Sequence, residues 1–386
     1  MDFELNDEQR AFEQSARDFA THEMAPHAAE WDAQSIFPRE TIRRAGPLGF
    51  CGLYAGTEHG GLGLSRLEAT LVFEQLAAAC PPTTAFFTIH NMVTWMVSRF
   101  ARPEIAAEWG PELTSGRLLA SYCLTEPGAG SDAGALKTSA RLDGGHYVLS
   151  GAKAFISGGG ETDVLVVMAR SGGAGPSGVS AFLVDAKSKG ISYGRKEDKM
   201  GWNALPTRAI SFDSVRVPAA HLLGSEGEGF RIAMKGLDGG RINIATCSVG
   251  AAQGALDAAR RYMLERQQFG KHLADFQALQ FKLADMATEL VAARQMVRLA
   301  ACKLDSESPD ASTYCAMAKR FATDVGFNVC NEALQLHGGY GYLRDYPLER
   351  LLRDSRVHQI LEGTNEIMRV IISRRLLQTG DMETPR

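Results

Sequence analysis

The sequence lacks the features that mark secreted, membrane-spanning and nucleic-acid-binding proteins. Its seven cysteines are scattered, and no two have C-x-x-C spacing, so we predict neither a disulfide framework nor a zinc site. Basic residues do not outnumber acidic ones, at 41 against 45, which excludes the basic excess of a nucleic-acid binder. No apolar run reaches the length of a membrane span. We therefore expect reduced thiols and neither a nucleic-acid nor a membrane partner.

Targeting and metal-binding motifs are also missing. The first five residues, Met-Asp-Phe-Glu-Leu, lack both the secretory pattern and the Arg-rich, acid-poor character of a transit peptide. His22 and His27 imitate a metalloprotease helix, but they are five residues apart and Pro26 interrupts the face. We predict a cytoplasmic protein, or a mitochondrial-matrix protein if a presequence has been removed, and no metal site.

Hydrophobic periodicity divides the chain into three predicted domains. Residues 1–117 and 229–386 carry apolar residues at helical spacing, whereas residues 118–228 contain short β-prone runs separated by Gly-rich turns. Between Leu279 and Leu304, apolar residues recur at alternating steps of four and three, which predicts one helix of roughly 29 residues. The fold class is α+β, with an N-terminal all-α domain, a middle β-barrel or sandwich, and a C-terminal antiparallel four-helix bundle.

Two segments of the middle domain are candidates for ligand binding. A predicted strand enters the loop Thr125–Asp132, Thr-Glu-Pro-Gly-Ala-Gly-Ser-Asp, whose free backbone N–H groups suit phosphates or the polar edge of a heterocycle. A plain β-turn explains the same residues equally well. Phe155-Ile156-Ser157, at the end of a later strand, suits either core packing or a ligand-binding edge.

Three more candidate segments lie at helix ends. Arg266 follows a long predicted helix, where it suits either the helix dipole or a pyrophosphate. A helix ends in paired glycines at Gly338-Gly339, which favours a C-cap or a ligand-binding turn. Asp238 and Arg241, three residues apart at a helix start, are explained by a cap and a surface arginine, or by a ligand site.

Glu362 lies between apolar residues and Gly363, at a predicted break between helices. Gly363 permits positive φ or a close approach of a ligand, and Thr364 and Asn365 are candidates to cap the next helix. Burial beside apolar residues raises the pKa of a carboxylate, which suits a general base. On this segment alone, a surface glutamate in a linker remains the alternative.

The order of these segments resembles that of the acyl-CoA dehydrogenase family over nearly the whole chain. The resemblance rests on Thr125–Asp132, Arg266–Gly270, Gln335–Gly341 and Leu361–Thr364. It implies FAD as the cofactor, an acyl-CoA substrate, an electron-transfer flavoprotein as the electron acceptor, and a homotetramer. Strings around Gly239, Leu283 and Asp354 resemble members that act on isobutyryl-CoA, which implies a short 2-methyl-branched substrate and a place in valine catabolism.

The resemblance also implies roles for individual residues. Glu362 matches the base that removes the α-proton while a hydride passes to FAD. Gly240 stands where some members carry an alternative glutamate base, which excludes that rival, and Ile156 stands where we expect a flavin-stacking tryptophan. The residues implied at FAD, those of its ADP half mostly serving a neighbouring subunit, are Tyr122, Leu124, Thr125, Gly130, Ser131, Phe155, Ile156, Ser157, Arg266, Phe269, Phe276, Gln277, Gln335, Gly338, Gly339, Thr364, Asn365 and Glu366. Those implied at acyl-CoA are Ser131, Ser180, Asp238, Arg241, Gly363 and Arg374.

Two other functions are compatible with this resemblance. An acyl-CoA oxidase-like enzyme would pass electrons to O₂ and produce peroxide at the full turnover rate, although the chain is short for an oxidase of this fold. A non-catalytic flavin-binding relative would have lost the reaction. The presence of Glu362 beside the intact flavin segments argues against this second alternative.

Overall fold

The computed structural model of the protein describes residues 4–379, so the ends of the first and last predicted domains lie outside the described residues. The N-terminal part is helical, as predicted. Asn6 caps the first helix through a reciprocal pair of hydrogen bonds with Gln9, of 2.8 and 3.2 Å, and Ser65 and Glu68 cap the fourth in the same way. The bounds are α1 Asp7–Phe19, α2 Ala28–Gln34, α3 Arg39–Arg44, α4 Arg66–Ala79, α5 Pro81–Phe100 and α6 Pro103–Thr114, with a π-helical turn Ala20–Met24 after α1.

The middle part forms one sheet with buried side chains on both faces. Its strand order is β6-β7-β3-β2-β4-β5-β8, with β1 also beside β4. Within the described residues the sheet is open at β6 and β8, so the predicted β domain is confirmed but does not close into a barrel. The bounds are β1 Ala120–Cys123, β2 Ser139–Asp143, β3 His146–Ser157, β4 Val164–Arg170, β5 Val179–Asp185, β6 Ile191–Tyr193, β7 Thr207–Pro218 and β8 Leu222–Leu223.

The C-terminal part is a helical bundle in which the first and third long helices run parallel. The hydroxyl of Ser312 donates to Asp238 at one end, and the ring of Tyr262 stacks on His337 at 4.3 Å at the other. The second long helix, predicted from the apolar repeat, runs in the opposite direction and packs against both. The bounds are α7 Gly229–Glu265, α8 Gln277–Asp305, α9 Ala311–His337, α10 Leu348–Arg356 and α11 Asn365–Thr379, with a short hairpin of β9 Gln267–Gln268 and β10 Lys271–His272 before α8.

The three parts meet at α10, immediately before the Glu362 segment. Arg353 on α10 forms an ion pair with Asp32 of the N-terminal part at 2.6 Å and donates to the Met200 carbonyl of the middle part at 3.2 Å. The backbone N–H of Trp202 donates to Asp354 at 2.6 Å. We propose domain boundaries at 117/118 and 228/229, between α6 and β1 and between β8 and α7. No helix in residues 4–379 is long and apolar enough to cross a membrane.

Candidate active site

Glu362 lies in a tight turn between a 3₁₀ turn, Val357–Gln359, and α11. Glu362 and Gly363 both have left-handed backbone conformations, with φ of +57° and +90°. Such a conformation costs a non-glycine residue about 1–3 kcal/mol and persists only where its surroundings hold it. Here the ammonium of Lys319 donates to the carbonyl of Gly363 at 2.7 Å and to Oδ1 of Asn365 at 2.9 Å. The turn is therefore fixed from α9.

The Glu362 carboxylate packs directly against the backbone of α7. A Cβ atom at Gly240 would lie 2.4 Å from Oε2 of Glu362, far inside van der Waals contact. At the preceding Gly239, a Cβ would lie 2.6 Å from Nη1 of Arg66. The two consecutive glycines thus make room for two charged side chains, Glu362 and Arg66, against one turn of α7.

The environment of Glu362 suits a proton acceptor. Burial raises the pKa of its carboxyl group to about 7, although the positive charges of Arg241 and Lys319 act in the opposite direction. Its Oε2 is shielded from solvent and has no hydrogen-bond partner. A carboxylate with a pKa near neutrality and a free oxygen is well matched to general-base catalysis.

We expect kcat/KM to rise with pH along an acid limb near pH 7. Below this pH the Glu362 carboxyl is protonated and cannot accept a proton, and above it the group is ionised, because burial raises its pKa to about 7. Steady-state kcat and kcat/KM measured across this range test the prediction, because kcat does not report titration of the free substrate. A limb near the ordinary glutamate pKa of about 4.3 would contradict it.

Two tyrosines and an arginine complete the pocket around Glu362. Burial raises the pKa of Tyr54 and Tyr122, and the nearby negative charge of Glu362 adds to both effects. The Arg66 guanidinium lies 3.5 Å from the centroid of the Tyr54 ring and 5.3 Å from that of Trp95. The Tyr122 hydroxyl and Arg66 Nη1 are buried without hydrogen-bond partners. Unsatisfied buried polar atoms are costly, so their convergence beside Glu362 indicates a ligand site.

The predicted flavin loop is held in place by a buried ion pair. Lys153, which is fully buried, donates to Glu126 at 2.8 Å and to the Leu124 carbonyl at 3.0 Å. Glu126 also accepts the backbone N–H groups of Lys137 and Thr138, at 2.6 and 2.9 Å. These contacts fix the loop that follows β1 before any ligand binds.

The outer side of this loop is open and can approach a planar ligand. A Cβ atom at Gly128 or Gly130 would meet no atom within 4 Å. The neighbouring end of β3 joins the loop through a 2.9 Å bond from the Ala154 N–H to the Thr125 carbonyl. Beside it, Phe155 has φ of +58° and is 70% exposed. A rigid, glycine-lined edge next to an exposed aromatic ring fits a flavin.

Comparison with known proteins agrees with this geometry across the chain. The N-terminal, middle and C-terminal domain profiles of acyl-CoA dehydrogenase match residues 6–117, 121–215 and 227–377. The chain belongs to the acyl-CoA dehydrogenase family. It is therefore an FAD-dependent oxidoreductase, and the predicted family, enzyme class and cofactor are confirmed.

Individual relatives cover nearly the full length. Mitochondrial isobutyryl-CoA dehydrogenase of Bos taurus is 55% identical over 374 residues, which are 97% of this chain and 90% of that protein. The protein of the same name in Dictyostelium discoideum is 53% identical over 96% of this chain and 90% of its own length. The structure of butyryl-CoA dehydrogenase from Megasphaera elsdenii superposes with a TM-score of 0.95 at 38% identity, covering 98% of this chain and 100% of that one.

At the flavin edge, the family position assigned to Ile156 does not fit the structure. Ile156 is 2% exposed and packs in the core on the other face of the sheet, with Cys123 and Leu149. Its side chain is therefore not a flavin contact, and Phe155 is the aromatic side chain exposed at this edge. The remaining members of the predicted set in β1 and its loop, Tyr122, Leu124, Thr125, Gly130 and Ser131, lie together as expected, and Ser157 ends β3 beside them.

Two other residues that were predicted to contact a ligand use their side chains in hydrogen bonds within the protein. Ser180 is fully buried, and its hydroxyl bonds to Ser171 at 2.7 Å and accepts the N–H of Gly227 at 2.9 Å, so it is unavailable to acyl-CoA. The side chain of Asn365 bonds inward to α9 and is unavailable to FAD. Thr364 caps α11 by accepting the N–H of Ile367 at 3.3 Å.

The other residues predicted to contact the substrate, or FAD at a helix end, remain candidates for ligand binding. Asp238 and Arg241 form a largely buried ion pair at 2.6 Å, close enough for Arg241 to act on the pKa of Glu362. Glu366 and Arg374 are exposed on α11. Gly363 adjoins the base, and its carbonyl accepts from Lys319.

The residues predicted for the ADP half lie far from Glu362 in the same chain. The Arg266 guanidinium is 5.5 Å from the Tyr340 ring, which brings the hairpin after α7 next to the turn after α9. From Gly240 to the end of α7 at Glu265 the helix rises by about 38 Å, at 1.5 Å per residue. One subunit therefore does not gather both groups into one site. The distal group comprises Arg266, Phe269, Phe276, Gln277, Gln335, Gly338 and Gly339.

Sequence reasoning missed three residues of the pocket: Tyr54, Arg66 and Lys319. The sequence does contain a signal for Lys319, because it is a charged residue on a helix face otherwise formed by Cys315, Ala322 and Gly326. Lysine is almost never fully buried without a partner, so this pattern predicts a specific contact. Tyr54 and Arg66 left no comparable signal, since their neighbours come from distant parts of the chain.

Proposed function

We propose that the protein dehydrogenates a short 2-methyl-branched acyl-CoA, such as isobutyryl-CoA, with Glu362 as the base. The observation that carries this proposal is the unpartnered Oε2 of Glu362, shielded from solvent and seated against Gly240. An α-proton next to a thioester is weakly acidic, so its removal needs a desolvated base held close to it. The shielded Oε2 of Glu362 meets the first requirement, and its fixed turn would meet the second.

The chain's own residues would orient the substrate and move the proton. The backbone N–H of Glu362 donates to the thioester carbonyl, which stabilises the negative charge that develops there, and the carboxylate accepts the α-proton. The neutral phenols of Tyr54 and Tyr122 help to line the pocket and exclude water. The loop Tyr122–Ser131 and Phe155 hold the flavin ring; FAD, when bound, supplies the acceptor for the hydride from the β-carbon.

The preference for a branched substrate has two supports. Gly240 lets the Glu362 carboxylate sit back against α7, which would leave room in front of it for a methyl group on the α-carbon. Both curated relatives described above are named isobutyryl-CoA dehydrogenases. If the substrate is isobutyryl-CoA, the protein takes part in valine catabolism. We propose the cytoplasm or the mitochondrial matrix as its compartment.

The assembly and the electron acceptor complete the proposal. Because the ADP-half residues lie about 38 Å along α7 from the base, they would serve the FAD of a neighbouring subunit. This separation supports an oligomer, and the family resemblance implies that the oligomer is a homotetramer. Electrons would pass to an electron-transfer flavoprotein, as the family resemblance implies.

Anaerobic flavin bleaching tests the substrate assignment. The purified protein is mixed in turn with isobutyryl-, 2-methylbutyryl-, isovaleryl-, butyryl- and octanoyl-CoA. We expect isobutyryl-CoA to bleach the flavin fastest, and octanoyl-CoA at least about tenfold more slowly, because misplaced reacting atoms lose rate steeply. Faster bleaching by an unbranched substrate would contradict the branched preference. Peroxide formation at the full turnover rate would favour an oxidase, and a colourless protein that cannot be reconstituted with FAD would favour a non-catalytic relative.

A further inference from the structure

Lys319 is a buried lysine with no role in the flavin or substrate contacts proposed above. It lies on α9 and is fully buried, yet no carboxylate of residues 4–379 lies within ion-pair distance of its ammonium. Its hydrogen-bond partners are the Gly363 carbonyl at 2.7 Å and Oδ1 of Asn365 at 2.9 Å. A buried ammonium without a direct counter-ion is costly, so its presence at this point calls for a functional reason.

Lys319 hydrogen-bonds to the second residue of the strained turn and to a side chain two residues later. Gly363 is the residue after Glu362, and both have positive φ. Asn365 is itself fixed, because its amide nitrogen donates to Thr323 at 3.0 Å and to Asp324 at 2.8 Å. Lys319 therefore connects the turn to a hydrogen-bonded platform on α9. Without it, nothing in this network holds the Gly363 carbonyl.

The charge of Lys319 also acts on the base. The groups around Glu362 are Arg241 on α7, Lys319 on α9, Tyr54 after α3, Tyr122 on β1 and, stacked on Tyr54, Arg66 on α4. Asp324, Glu366 and His358 face Lys319 from neighbouring positions. Burial lowers the pKa of Lys319 to about 7, and the negative charges of Glu362, Asp324 and Glu366 oppose this. Burial likewise lowers the pKa of His358, to about 3, so that ring is neutral near pH 7. Arg241 favours an ionised Glu362 throughout this range, and Lys319 adds to the effect while its ammonium is protonated.

We propose that Lys319 is a positioning residue for the base: it holds the Glu362–Gly363 turn in its left-handed conformation and favours the ionised carboxylate. The proposal rests on the proposed function, since it needs Glu362 to be the base. It predicts that loss of the lysine charge changes both the rate of proton abstraction and its pH dependence.

Substitutions that separate charge from packing test this role. Lys319→Met removes the charge and both hydrogen bonds, Lys319→Gln retains a donor without charge, and Lys319→Arg retains the charge. We expect Lys319→Met to slow flavin bleaching by about tenfold to a hundredfold at neutral pH, because the base is displaced. We expect the acid limb to move up by about one pH unit in Lys319→Met and Lys319→Gln, and to stay in place in Lys319→Arg.

Thr323→Val is the matched control within the same network. It removes the Thr323 bonds to Asn365 but leaves the charge of Lys319 unchanged. We expect it to slow bleaching without moving the acid limb. A limb that stays in place in both neutral variants, or that moves equally in Thr323→Val, would overturn the proposal. If Lys319→Met does not fold, the comparison of Lys319→Gln with Lys319→Arg decides.

A second readout does not depend on turnover. Infrared difference spectra of the holoenzyme identify the protonated carboxyl band of Glu362 as the one that Glu362→Gln removes. This band should persist to higher pH in Lys319→Gln than in the unsubstituted protein, and an unchanged titration would overturn the proposal. If Glu362→Gln itself bleaches at the normal rate, the proposed function fails; if it does not bleach but the lysine variants titrate normally, only the role of Lys319 fails.

Discussion

Glutamine in place of Glu362 should slow flavin bleaching by isobutyryl-CoA by about 10²–10⁴-fold, the range that a positioned general base contributes. The amide has nearly the shape of the carboxyl group but cannot accept the α-proton. FAD content and acyl-CoA binding should persist, since the flavin loop is held by Lys153 and Glu126 independently of Glu362. Stopped-flow absorbance of the flavin measures the rate, and the visible spectrum of the purified variant measures its FAD content.

The control for this substitution is Glu104→Gln, which changes an exposed carboxylate on α6 in the same chemical way. We expect its bleaching rate to stay near that of the unsubstituted protein. Bleaching by Glu362→Gln at the normal rate, with a normal FAD content, would show that another group takes the proton.

An alanine at Gly240 should reduce bleaching by about 10²-fold while FAD remains bound. The added Cβ would lie 2.4 Å from Oε2 of Glu362, so the carboxylate must move, and a displacement of about 1 Å at a reacting group costs on the order of 10²-fold in rate. The loss should appear in kcat, because the substitution moves the base rather than the loop that holds the flavin. Rapid-mixing and steady-state kinetics with isobutyryl-CoA measure both quantities.

Gly236→Ala is a matched control one turn earlier on the same helix. There the added Cβ would meet Cε of Met96 at 2.2 Å, the flexible end of a side chain that can adapt. Both substitutions improve the helix propensity of α7 by about 1 kcal/mol, so they differ chiefly in what the methyl group meets. Equal loss of bleaching in the two variants would contradict the assignment of Gly240 as the space for the base.

The sequence predicted the two helical parts of the chain because helical periodicity is a local signal. The apolar repeat from Leu279 to Leu304 corresponds to α8, Gln277–Asp305, and Met286, Leu290 and Val297 from that repeat are buried. Asp238 and Arg241 were predicted to lie at a helix start, but they lie inside α7, which begins at Gly229. Paired glycines normally weaken a helix, but here tertiary contacts with Arg66 and Glu362 explain their presence inside one.

The candidate site was predictable only in part, for a related reason. Glu362 was found because glycine and apolar residues flank it in sequence. Its left-handed backbone, and its contact with Gly240 some 120 residues earlier, leave no local pattern. Ile156 and Phe155 illustrate the same limit: the segment was recognised, but which side chain faces outward depends on the bulges where β3 pairs with β7, near residues 149–151 and 153–156, and a one-residue shift exchanges the two faces.

The junction at α10 has a consequence for molecules that are still folding. The segment that leads to Glu362 is tied to Asp32 through Arg353 and to Trp202 through Asp354, so its position depends on three units that are far apart in the chain. Domains generally fold as units before they dock. In a nascent chain in which one unit has not docked, Glu362 is therefore not held in its ordered position. The protein becomes active only when all three units have assembled.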